Sequence, residues 1–175
     1  MRRSTVPPDA VDRQPDEEPG SELLELSSVR GRVLLATVAL GSGIAMLDGT
    51  VVNIALRQIG LDLDASLAEL QWVSTGYLLS LASLILVGGA LGDRLGRRRI
   101  YLLGVIGFAA GSTLCAFAQT PVQLGLFRVL QGIAAALLVP GALALIQSSF
   151  REQDRPAAIG TWAGVSGIAT AVGHS

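Results

Sequence analysis

The chain has no lysine: all 13 of its basic residues are arginine, which is a compositional bias and not a mechanism. Charge of either sign is scarce. It makes up 15% of the 175 residues, whereas soluble domains carry about a quarter. Net charge is −1, which argues against a nucleic-acid partner. Cysteine occurs once, at Cys115, so no intramolecular disulfide can form, and its apolar surroundings read as those of a small packing residue. There is one histidine, no cluster of metal ligands, and no nucleophile with a base close by in sequence, so an enzyme, metal-dependent or otherwise, finds no support.

What is present is apolar surface. Half of the residues are hydrophobic and the mean hydropathy is +0.54. That composition assigns the chain to lipid. A span takes about 20 apolar residues, so this length holds about five spans and a tail. Seven of the 14 acids precede Arg30, so the remainder is poorer still in charge. Residues 1–32, acidic and punctuated by Pro7, Pro8, Pro15 and Pro19, read as a disordered cytoplasmic tail. It is not a signal peptide, because polar residues separate its basic start from the first apolar run. Within it, Ser21–Val29 carries Leu23, Leu24 and Leu26 and is a candidate interfacial helix. Residues 33–175 read as a bundle with spans at about 33–56, 68–91, 100–118, 122–146 and 157–175. Ala118-Gln119-Thr120-Pro121 reads as the turn between the third and fourth. These runs are continuous and do not alternate, which predicts an all-α membrane protein and not a β-barrel.

Arginine placement sets the orientation. Arg30 and Arg32 precede span one, Arg94 and Arg97 to Arg99 separate spans two and three, and Arg151 and Arg155 separate spans four and five. The other side has only Arg57, next to Asp62, Asp64 and Glu69. The prediction is a multi-pass protein of the cell membrane with its N-terminus in the cytoplasm. Tyr101 and Trp72 fall near span ends and suit the interfacial aromatic belt.

Two charges lie within spans: Asp48 in the first and Arg128 in the fourth. Ionisable groups at that depth are costly and face a cavity or a partner. An acid there can exchange a proton, whereas an arginine stays charged. The alternatives are a static ion pair or, for Arg128, a side chain that reaches the interface. The loop Gly89-Ala90-Leu91-Gly92-Asp93-Arg94-Leu95-Gly96-Arg97-Arg98-Arg99 combines three features. Gly88, Gly92 and Gly96 recur every four residues, a spacing that admits a close helix neighbour. Asp93 and Arg97 can pair across one helical turn, or Asp93 can cap backbone N–H groups. The arginines suit anionic headgroups.

This loop resembles the signature between spans two and three of the major facilitator superfamily. Leu47-Asp48-Gly49-Thr50-Val51-Val52-Asn53-Ile54-Ala55-Leu56 is similar to the first-span signature of its fourteen-span drug:proton antiporters. Arg128-Val129-Leu130-Gln131-Gly132-Ile133-Ala134-Ala135-Ala136 is similar to the fourth-span one. Gln71-Trp72-Val73 and Pro140 to Ile146 agree, so the resemblance runs from about Leu34 to Gly173. It implies a major-facilitator-like helical bundle forming an incomplete N-terminal half, and proton-coupled efflux of drug-like or metabolite molecules. It implies no cofactor, the proton gradient being the energy source. Asp93, with Gly89, Arg94, Gly96, Arg97 and Arg98, would belong to the gating loop between halves. Arg128 would serve proton coupling, with Gln131 and Gly132 shaping its helix. Asp48 and Asn53 would face the cavity, Asp48 as the candidate for proton or cation handling.

There are departures. Arg57 stands where the first-span signature ends in Pro, and His174 stands where the fifth-span signature continues with Gly-Pro. The expected partners are the bilayer, a small-molecule substrate and the remaining C-terminal portion of the transporter. On this reading the chain is the first third of a larger protein. The alternative is a truncated, non-transporting remnant or a membrane interaction module.

Overall fold

A computed structural model describes residues 23–172, with side chains to residue 167. The acidic stretch before Leu23, and Gly173 and His174, lie outside the described residues. Five helices follow one another: α1 (Val29–Asp62), α2 (Leu67–Leu95), α3 (Arg97–Ala116), α4 (Pro121–Ser149) and α5 (Arg155–Val172). The first four are long and apolar enough to cross a membrane. Even α3, the shortest of them at 20 residues, spans about 30 Å. In α5, Arg155 and the glycines at 160, 164 and 167 dilute the hydropathy.

The helix starts are written in the sequence. Ser28 accepts a hydrogen bond from the Gly31 N–H, and Thr120 accepts one from Gln123 ahead of Pro121 in the first turn. Ser66 and Glu69 form a reciprocal capping box. Gly96, at φ 100°, breaks the path between α2 and α3 in a conformation that side chains rarely adopt. Connections this short force neighbouring helices antiparallel.

α4 is the axis of the bundle: α2 and α3 both pack along it, while α5 pairs with α1. Bare backbone makes this approach possible. A Cβ at Gly88 would run into the Ala136 carbonyl oxygen, and one at Gly104 would come within 2.9 Å of the Leu138 nitrogen. Pro140 lies inside α4 and has no N–H, so it leaves the Ala136 carbonyl, one turn earlier, without its helical donor. The close approach of α2 therefore falls where the α4 backbone is least satisfied. The glycine repeat at 88, 92 and 96 divides its work differently from what its spacing suggests. Only Gly88 lies at a close helix contact, Gly92 has open space, and Gly96 supplies the turn.

Three sequence expectations change. The proposed tail boundary at residue 32 falls inside α1, and Leu23–Ser28 is not an interfacial helix. The Leu24 N–H donates to the Ser149 carbonyl at 2.7 Å, the Arg151 N–H donates to the Leu24 carbonyl, and Glu25 pairs with Arg151. Leu24 and Leu26 pack against the core, and that burial holds the segment on the α4–α5 connection, bridged at Leu24 and turning at Leu26 and Ser27. Tyr101 does not sit in an exposed belt. It is 2% exposed, and its hydroxyl donates to the Thr37 and Val38 carbonyls of α1. Trp72 is exposed.

Candidate functional site

The two charges buried in the apolar spans meet. Asp48 lies on the middle turns of α1 and Arg128 near the start of α4, and an Arg128 Nη1 N–H donates to Asp48 Oδ2. The side chains are 15% and 3% exposed, so this pair is shielded from bulk water. Gln131, one turn beyond Arg128 and fully buried, closes a triangle. Its Oε1 accepts from Arg128 Nη1 at 2.8 Å, and its Nε2 donates to Asp48 Oδ1 at 2.9 Å. Both carboxylate oxygens are thereby occupied, one by a cation and one by a neutral amide. The R-x-x-Q spacing matters physically because i and i+3 side chains share one face of a helix.

Two neighbours of this triangle were not legible as site residues. The Arg128 guanidinium carbon lies 4.3 Å from the centroid of the Tyr77 ring on α2, a cation–π contact. The Cys115 thiol on α3 donates weakly to Gln131 Oε1 at 3.7 Å. All four of the first helices therefore contribute to one polar cluster. Gly132 belongs to it through its missing side chain: a Cβ there would collide with Ser80 and Tyr77 of α2. The cluster is also under-satisfied. Arg128 Nε is buried with no acceptor among the described residues, an omission that costs about 1–3 kcal/mol.

Asn53 is not part of the cluster. It lies further along α1, is exposed, and accepts a hydrogen bond from the Ser74 hydroxyl of α2 at 3.2 Å. The arginine-rich loop forms a second, separate site. Arg97 pairs with Asp93 at 3.1 Å and also donates from Nη1 to the Ala144 carbonyl of α4, so it ties the loop to the central helix. Arg94 and Arg98 are exposed, and Gly89 rests against Pro140. The Asp93–Arg97 pair is open to solvent and contributes little to stability. Its interest lies in the exposed carboxylate it holds in place.

Residues 38–174 match the family model described as Major Facilitator Superfamily. The chain is similar to the tetracenomycin C resistance and export protein of Streptomyces glaucescens, with 43% identity over 90% of this chain and 30% of that protein. It is similar to a probable actinorhodin transporter of Streptomyces coelicolor, with 38% identity over 98% of this chain and 30% of that protein. It is also similar to a methylenomycin A resistance protein of Bacillus subtilis, at 42% identity over 85% of this chain and 32% of that protein. The chain thus spans about a third of the length of these curated relatives.

Proposed function

The chain belongs to the major facilitator superfamily, and from that premise we propose that it forms the N-terminal part of a proton-coupled exporter of small organic molecules, with Asp48 and Arg128 as its coupling pair. The observation that carries this is the ion pair buried between α1 and α4 in a multi-pass membrane protein. A structural pair in lipid would be expected to have its donors fully met, and among the described residues Arg128 Nε has no acceptor. A proton arriving at Asp48 cancels the charge that faces Arg128. The contact between α1 and α4 then weakens, and Gln131 is left to bridge them. In an alternating-access transporter this ties the protonation state to the relative position of two cavity-lining helices. The loop at Asp93 and Arg97 serves as the gate on the cytoplasmic side, the side to which the arginine excess assigns the N-terminus.

The proposed substrate class follows from the relatives named for tetracenomycin C resistance and export and for methylenomycin A resistance. On this reading the proton gradient is the energy source, with no cofactor, and the protein acts as a transporter. The test uses vesicles carrying the polypeptide encoded by the complete reading frame. Proton-driven efflux of a cationic dye is expected, with collapse in Asp48→Asn and in Arg128→Ala. Unchanged efflux in both variants removes them as coupling residues. Uphill export by the 175-residue chain alone would contradict its assignment as one part of the transporter.

A further inference from the structure

We propose that Tyr77 is the positioning residue of the charge pair: its ring parks the Arg128 guanidinium, so that loss of charge at Asp48 frees α1 while the cation stays fixed on α4. This rests on the coupling reading of Asp48 and Arg128. A guanidinium has five donors, yet among the described residues the side-chain hydrogen bonds of Arg128 leave from Nη1, toward Asp48 and Gln131. Only one of these partners carries charge. Once Asp48 is neutral, a long, flexible and poorly satisfied arginine would swing toward water. The Tyr77 ring opposes that movement. It lies 4.3 Å from the guanidinium carbon, and Tyr77 is 6% exposed, the desolvated setting in which a cation on a ring face is held most firmly.

The local backbone is shaped for this contact. A Cβ at Gly132, one turn beyond Arg128, would come 2.5 Å from the Tyr77 carbonyl oxygen. The bare glycine therefore lets α2 lie against α4 at the level of the cation. The Ser80 hydroxyl, which also borders Gly132, turns back onto the Gly76 and Tyr77 carbonyls at 2.8 and 2.9 Å. At this level α2 thus offers Arg128 an aromatic face, with its nearby hydroxyl already engaged. Gly132 and Tyr77 serve one placement from two helices.

The test reads Arg128 directly, in the 175-residue chain labelled with 15N-arginine in lipid nanodiscs. The ring should displace the Arg128 side-chain proton resonances upfield and slow their exchange with water. Tyr77, Tyr77→Phe and Tyr77→Leu are compared, each with Asp48 and with Asp48→Asn. Tyr77 and Tyr77→Phe are expected to keep the displaced, protected signal in the Asp48→Asn background. Tyr77→Leu is expected to lose it there, with exchange faster by about tenfold or more. Mobilisation of Arg128 by Asp48→Asn alone, with Tyr77 in place, overturns the proposal even if the leucine variant does not fold. So does equal protection in the leucine and tyrosine forms. The assay needs no transport, so a positive result here beside absent efflux would count against the exporter reading and leave the role of Tyr77 standing.

Discussion

Asp48→Leu is expected to destabilise the bundle by about 3–5 kcal/mol, whereas Asp48→Leu combined with Arg128→Met is expected to recover most of that loss. The asymmetry follows from what each variant leaves behind. Removing Asp48 alone leaves the buried Arg128 cation with Gln131 and an aromatic ring, and no counter-charge among the described residues. Removing both charges lets α1 and α4 meet through apolar side chains of similar bulk, as lipid-embedded helices ordinarily do. Equilibrium unfolding in mixed micelles, with the single and double variants side by side, reads the difference directly. A double variant as unstable as the single would mean that packing at these positions, and not the stranded charge, sets the cost.

Gly88→Ala is expected to cost about 2 kcal/mol or more, against the usual direction, since alanine in place of glycine ordinarily favours a helix by about 1 kcal/mol. The added methyl would strike the Ala136 carbonyl, which is backbone and cannot rotate away. Relief requires α2 to move off α4, and that displacement also pulls Tyr77 away from Arg128. Gly92→Ala is the internal control. It occupies the next position of the same four-residue repeat, meets open space, and is expected to be neutral or slightly stabilising. Thermal unfolding of the two variants in the same detergent separates the contact from the repeat. Equal effects would show that the repeat acts as a unit.

The sequence made the helices legible because long charge-free runs have few outcomes in lipid. Asp48 and Arg128 stood out for the same reason, each being a charge where charge is expensive. Their meeting was not readable, since it depends on the relative depth of α1 and α4. Tyr77 was hidden further. A tyrosine in an apolar run reads as packing, and its face reaches Arg128 only because Gly132 admits the α2 backbone. Tyr101 was placed at the interface from its position at a helix start, and burial against α1 overrode that. Asn53 sits in the same motif as Asp48, but five residues along a helix turn it to another face, where it meets Ser74. The segment Leu23–Ser28 reads as the end of a solvated tail because the residues before it are acidic, while two leucines and a pair of backbone hydrogen bonds fix its path.

On the exporter reading, protonation of Asp48 is the event to which substrate movement is coupled. The direct measurement is proton flux driven by a substrate gradient, in vesicles carrying the polypeptide encoded by the complete reading frame and with no imposed pH difference. The native protein should move protons against the direction of substrate flow. Asp48→Asn should still exchange labelled for unlabelled substrate across the membrane while moving no protons. Proton flux of native size in Asp48→Asn would contradict the account.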